Sequence, residues 1–171
     1  SNAEQLFLLA NAGTEETTKK YYKLTGDINI SNVYEGWETD SPYSWTKKTA
    51  YLDGFGYSNS FAGTLDGAYA EEICKAYRIQ AGYTVRGLYY TDEITNNGTY
   101  AYGLIPFVSA NAVIKNLNVE DVAGNVTGDA YMGAVAGAAH VTETDAANAL
   151  NMVQFVGVNV ANSDFAILGG A

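Results

Sequence analysis

The 171-residue chain holds one cysteine, one histidine and two prolines, and each scarcity removes a class of answer. Cys74 has no second thiol to meet, so no intrachain disulfide staples the fold. A zinc site built from histidine and cysteine ligands would have only His140 and Cys74 to draw on, and a Ser-His-Asp triad would have to use His140. Nine basic residues stand against 19 acidic ones, a formal net charge of −10, and only Arg78 and Arg86 are arginines. Nucleic acid and anionic membrane surfaces reward the opposite sign, so neither is an expected partner. No apolar run reaches the length of a membrane span; "LFLLA" near the start is far too short. What is present is a large apolar fraction, 47% of residues, enough to give a chain of this length a real core within one domain.

"SNA", residues 1–3, reads as the remnant of a cleaved expression tag and is set aside from the fold. Residues 4–13, "EQLFLLANAG", place Leu6, Leu9 and Ala10 at helical spacing before an Asn-Ala-Gly stop, and a helix is expected there. "TEETTKK" reads as a polar loop. "YYKLTGDINIS" puts Tyr22, Leu24, Ile28 and Ile30 at apolar positions of a strand, a turn and a strand. The following stretch through "YSNS" is rich in turn formers and aromatics without a clear period, and one short strand is all it promises.

The second half carries a pattern. "VIKNLNVEDVAGNV" from Val113 and "ALNMVQFVGVNVAN" from Ala149 align after a shift of 36, which sets Leu117, Val119 and Val122 on Val153, Phe155 and Val158. "GAVAGA" from Gly133 falls on "AILGGA" from Ala166 after a shift of 33. Self-similarity at such a period marks stacked repeats, and glycine and β-branched residues are too dense here for helices. Short, evenly spaced strands also suit a sandwich or a barrel, but the repeat favours a β-solenoid. In that arrangement Asn116 sits at a bend, where asparagine tolerates left-handed backbone and bonds turn groups with its amide. Leu88, Leu104, Ile114, Leu117 and Val119 are expected to point inward and to stack with Val135 and Phe155.

Read in order, "YYKLTGDINIS", "FAGTLDG", "GYTVRGLYY", "YGLIPF", "AVIKNLNV" and "MGAVAGA" resemble the GLUG-type repeat proteins of bacterial cell surfaces. The resemblance runs from about Glu4 to the end. It implies an all-β fold, a right-handed parallel β-helix with an N-terminal α-helical cap, over one domain (4–171) belonging to a longer protein. Two departures stand out. The family's Gly-Leu-Phe-Gly is "GLIP" here, so Pro106 removes one N–H from a coil edge. And residues 69–81, "YAEEICKAYRIQA", interrupt a tight turn: without them the chain reads "DGAGYTVRGLYY". Tyr69, Ile73 and Tyr77 share one helical face, so a short helical flap packed on the outside of the scaffold is expected there.

Candidate chemistry is sparse. Asp27 and Asp66 sit inside "GDI" and "LDG", where aspartate satisfies backbone N–H groups, and both read as structural. Glu35, Glu38 and Asp40 cluster in "YEGWETD" without EF-hand spacing and read as a solvated loop. Cys74 reads as a small buried hydrophobe, and His140 as a turn or coil-edge residue. No catalytic residue, metal or cofactor is assigned. The 14 tyrosines and two tryptophans are too many for narrow coils. Trp37, Trp45, Tyr89 and Tyr100 are therefore the expected ligand-binding aromatics. The resemblance implies a secreted or cell-surface bacterial module, adhesin-like, meeting a carbohydrate or a protein. A carbohydrate-active β-helix enzyme, a polysaccharide lyase or glycosidase, is the alternative, and a passive spacer a third reading. A strand-like "AILGGA" as the last segment implies either continuation into a further domain or end-to-end pairing through Phe165, Ile167 and Leu168.

Overall fold

Left-handed backbone marks where this chain turns. In the computed structural model, which describes residues 2–10, 12–30, 50–51, 60–69, 82–93, 100–141, 147 and 152–168, Gly87, Asp121 and Asn162 have φ of 79°, 55° and 51°. Each directly follows one set of strands and precedes the next. Asn116 (φ 53°) and Gly157 (φ 63°) form a second matched pair inside the strands. Glycine and asparagine reach this region at little cost, which is why these residue types recur at equivalent places.

Between the corners the strands pair in parallel. In the largest sheet, β1 (Tyr21–Lys23) lies beside β4 (Thr64–Asp66), and β4 beside the first half of β9 (Val113–Glu120). β2 (Ile28–Asn29) lies beside β5 (Thr84–Arg86), and β5 beside the second half of β9. β9 in turn carries β13 (Gln154–Ala161) along its length. A second sheet stacks β6 (Tyr89–Glu93), β10 (Ala123–Thr127) and β14 (Asp164–Leu168). A third joins β7 (Tyr100–Tyr102) to β11 (Ala130–Met132), with β3 (Ala50–Tyr51) antiparallel to β7. β8 (Phe107–Ser109) pairs with β12 (Ala138–His140) in the fourth. The chain thus visits the sheets in the same order on successive passes, and each pass lies on the one before. His140 belongs to strand β12, opposite Ser109, rather than to a turn.

The stacked positions give the true register. Ile114 pairs with Phe155, Leu117 with Val158 and Val119 with Val160, a spacing of 41 rather than 36. Val126 pairs with Ile167 at the same spacing, so the match of "GAVAGA" with "AILGGA" is not a structural one. A shift of 36 matches the apolar pattern because it sets the bend at Asp121 on the bend at Gly157, and both bends leave apolar residues three apart. The positive-φ residues at 116 and 157, and at 121 and 162, together fix the spacing of 41.

Leu88, Leu104, Ile114, Leu117 and Val119 are at most 1% exposed, and Val135 joins them in one core. Phe155 departs from expectation: it lies on Ile114 but is 48% exposed. Its neighbour along the strand, Val160, stacks on Val119 and is 50% exposed. These side chains occupy positions that are buried one level below, and the last level has an open face. At the other end α1 (Ala3–Ala10) closes the stack by laying Leu6 and Phe7 into the core with Leu24 and Ile28. It begins one residue before the expected start, with the Asn2 carboxamide oxygen accepting the Gln5 N–H at 2.8 Å. "TEET" is not a loop but a single helical turn, α2 (Thr14–Thr17). Buried Thr17 accepts the Ala62 N–H there at 3.0 Å, tying α2 to the pass that follows.

Gly124 allows a stack of rings. Tyr90 and Phe165 sit on either side of it in the ladder, with centroids 6.4 Å apart, and Tyr90 lies against Tyr102 at 5.2 Å. A Cβ at Gly124 would run into the Tyr90 ring.

The interruption at 69–81 enters and leaves through one narrow mouth. Ala68 and Gly82 form an antiparallel bridge, and the Tyr83 N–H donates to the Gly67 carbonyl at 2.7 Å. Tyr69 meets Tyr83 edge to face, with ring centroids 4.6 Å apart. The expected helix and Cys74 lie outside the described residues. Because Ala68 and Gly82 are already a bridged pair, removing residues 69–81 and joining the two should leave a cooperatively folding protein. Circular dichroism melting is the check, and a molten or aggregated product would make the segment part of the core.

Candidate functional site

The outer face of the largest sheet carries a polar cluster at the mouth of the interruption. Strand alternation sends Leu65 inward and Asp66 to the other side. Asp66 is nonetheless only 5% exposed, because neighbours from three passes converge on it. Its Oδ1 accepts the Ala68 N–H at 2.9 Å and the Asn116 amide at 3.0 Å. Its Oδ2 accepts the Tyr21 hydroxyl and lies 3.5 Å from the Lys115 ammonium. The ammonium also sits 5.3 Å from the centre of the Tyr21 ring. The Asn116 side chain therefore serves Asp66, not turn backbone. Its neighbour Asn118 takes the backbone role, donating to the Gly82 carbonyl at 2.8 Å. Asp27 behaves as read from the sequence, accepting the Thr84 N–H at 2.8 Å.

Burial pushes the Asp66 carboxyl up, but the hydrogen bonds from Tyr21, Asn116 and Ala68 and the Lys115 charge outweigh it and hold the pKa at about 2. The bond to Asp66 raises the Tyr21 phenol to about 12, aided by desolvation and by the carboxylate charge. A carboxyl so depressed is ionised at ordinary pH and poorly suited to proton delivery. Its linkage has a definite sign. An aspartate with a folded pKa below its unfolded one stabilises the fold above the unfolded pKa and loses that contribution as pH falls through the folded value. Between about pH 4 and the folded value, the wild type should lose about 2 kcal/mol more than Asp66→Asn. Urea titrations at successive pH values would show it, and parallel curves for the two proteins would disprove it.

Tyr21 also stands on the rim of a cleft. A cavity of about 700 Å³ opens between α1 and the first strands, with Leu6, Leu9, Leu24 and Leu65 among its apolar walls and Gln5, Lys20, Tyr22 and Lys23 among its other lining residues. A smaller hollow of about 400 Å³, lined by Lys19, Thr64 and Asn111 among others, lies beside it, and Lys20 and Tyr21 line both.

The expected aromatics fare differently. Tyr89 faces solvent at 49% exposure on β6. Tyr100 stands on a different sheet and is half-buried against the core rather than turned outward. Trp37 and Trp45 lie outside the described residues. Tyr21, an exposed aromatic bonded at its hydroxyl to Asp66 and approached at its ring by Lys115, has no local signal in the sequence that marks it as a site residue. Its hydroxyl partner is 45 positions away, and only the parallel register brings the two together.

Arg86, on β5, reaches Glu120 at 3.3 Å on the same outer face. Among the described residues no three His, Cys, Asp or Glu side chains come together as a metal site, and no helix is long and apolar enough to cross a membrane. No family model, curated protein or solved structure matches this chain.

Proposed function

We propose that the stacked passes form a right-handed parallel β-helix of the GLUG-repeat type, and that this chain is a recognition module of a secreted or cell-surface bacterial protein, adhesin-like, binding a carbohydrate or protein ligand. One observation carries the reading. An exposed tyrosine, held at its hydroxyl by a buried carboxylate, borders a cleft of about 700 Å³ with apolar walls and a few polar groups. That combination suits binding. Asp66 favours a binder over the alternative glycosidase or lyase, since it is spent on holding Tyr21, Asn116 and Lys115 rather than poised as an acid. The test is retention of the purified protein on a panel of neutral polysaccharides, acidic polysaccharides and cell-surface proteins. Retention by one class, lost on Tyr21→Ala in a variant that still melts cooperatively, is the expected result. No retention on any surface would leave only the spacer role.

The same reading includes pairing between copies through the last level. α1 occupies one end of the stack, so contact would run tail to tail through β13 and β14, whose 13 residues carry a single charge, Asp164, on a chain of net −10. Copies of so acidic a protein repel each other least at such a face. Sedimentation equilibrium over a concentration series tests this, and a strict monomer at every concentration would refute it.

A further inference from the structure

The basic residues of this acidic chain are unevenly spread. Of its nine lysines and arginines, Lys19, Lys20, Lys23 and Lys115 gather around Tyr21. Lys115 balances the buried Asp66. Lys19, Lys20 and Lys23 are exposed and have no ion-pair partner among the described residues. Glu16 also lines the larger cleft, where it faces the ammonium groups of Lys20 and Lys23, and Lys19 lines the smaller hollow. The local sign is therefore opposite to that of the whole molecule.

Tyr21 lies at the centre of this strip and is 57% exposed. Its ring is not free to swing: the hydroxyl is tied to Asp66, and Lys115 lies against the ring. Pre-ordering removes the entropy that an exposed side chain would otherwise lose on binding. The larger cleft and the smaller hollow meet at Lys20 and Tyr21, so a ligand running from one to the other must cross the tyrosine.

We propose that this strip binds an acidic saccharide, one whose sugar rings carry carboxylates. The proposal rests on the recognition reading above and names its ligand class. The C–H face of a pyranose lies on the Tyr21 ring, and its carboxylate takes a charge-assisted hydrogen bond from Lys23 or Lys20. Lys23 is two residues beyond Tyr21 on the same side of β1, about 7 Å along the strand, within reach of the same sugar or the next. Gln5 in the larger cleft and Thr64 and Asn111 in the smaller one offer groups for hydroxyls. A polyphosphate fits less well: it brings dense negative charge to a protein of net −10 and would meet no arginine among these lysines.

The experiment is calorimetric titration with a tetragalacturonate, with a neutral tetrasaccharide of glucose and an oligoglutamate peptide as comparisons. The acidic saccharide should bind, weaken as salt is raised, and exceed both comparisons by about tenfold, the worth of one well-made ionic contact. Lys23→Gln, a change at an exposed position, should weaken binding severalfold without moving the melting temperature. Tyr21→Phe keeps the ring but frees it from Asp66 and should bind more weakly than wild type. Tyr21→Ala should abolish binding. Equal affinity for the neutral sugar, equal affinity for the peptide, or full binding by Lys23→Gln would each overturn the proposal. If tetragalacturonate fails while another class on the wider panel is retained, the acidic-saccharide assignment falls and the recognition reading stands. If nothing is retained, both fall.

Discussion

Gly82→Ala should destabilise the protein by about 3 kcal/mol, at the upper end of what overpacking costs. A Cβ at this position would overlap the carbonyl oxygen of Asn116, and backbone cannot swing aside as a side chain can. Asn116 is fixed from three directions. Its φ is positive, its amide is bonded to Asp66, and its own strand is paired on both sides. Relief must therefore come from Gly82 itself, which breaks its bridge to Ala68 and the hydrogen bond from Asn118. Chemical denaturation measures the loss. The mouth of the interruption should open with it, so a protease should cut the 69–81 segment faster in Gly82→Ala than in wild type. Unchanged stability would mean that the two passes are not in close backbone contact here.

Leu117→Ala should cost about 3 kcal/mol, within the range for emptying a buried aliphatic site. Leu117 has no exposed surface, lies in the eight-residue β9 of the largest sheet, and stacks on Val158 in the next pass. Parallel ladders with the earlier pass on one side and with β13 on the other limit collapse of the site. Val158→Ala, one level up, should cost much less. It belongs to the level whose outer face is open, where half-exposed side chains bury less apolar area. The contrast tests the register directly. Under a spacing of 36, Leu117 would lie on Val153 and Val158 would have no special relation to it.

Much of the scaffold is legible from residue patterns. "YYK", "TLD", "TVR" and "VIKNLNVE" are strands, and the excised reading "DGAGYTVRGLYY" correctly locates a mouth at Ala68 and Gly82. Asp66 is recognisable as a turn aspartate because one of its bonds is local, to Ala68. Its other partners are not legible. Tyr21 and Asn116 lie 45 and 50 positions away, and nothing local ties them to Asp66. The spacing error has the same origin. Apolar residues three apart mark a left-handed bend, but each pass has two such bends five residues apart, at 116 and 121 and again at 157 and 162, and an offset of 36 sets the second bend of one pass on the first of the next. Matching both bends at once, 116 with 157 and 121 with 162, resolves it, because such backbone can only stack on its own kind. Phe155 shows the remaining limit: its inward direction follows from pattern, while its exposure depends on what lies above it.

Among the described residues no two strands that are consecutive in sequence pair with each other. Ile28 waits for Val85, Ala123 for Asp164, and even the nearest partners, Tyr100 and Ala130, belong to different passes. The most local antiparallel contact among the described residues is the single Ala68–Gly82 bridge, and no hairpin of two strands serves there as a nucleus. Every ladder between these strands must close a loop of about thirty residues or more before its bonds repay the lost entropy. Refolding should therefore fall in the millisecond-to-second regime of high-contact-order domains, well behind a helical bundle of equal size. During synthesis, a pass has nothing to dock on until its predecessor is complete. The helix α1, which precedes the first pass in the chain, gives that pass an apolar surface against which to form. The level of β13 and β14 keeps Phe155 and Val160 half exposed, the same kind of apolar surface on which each earlier pass is laid down.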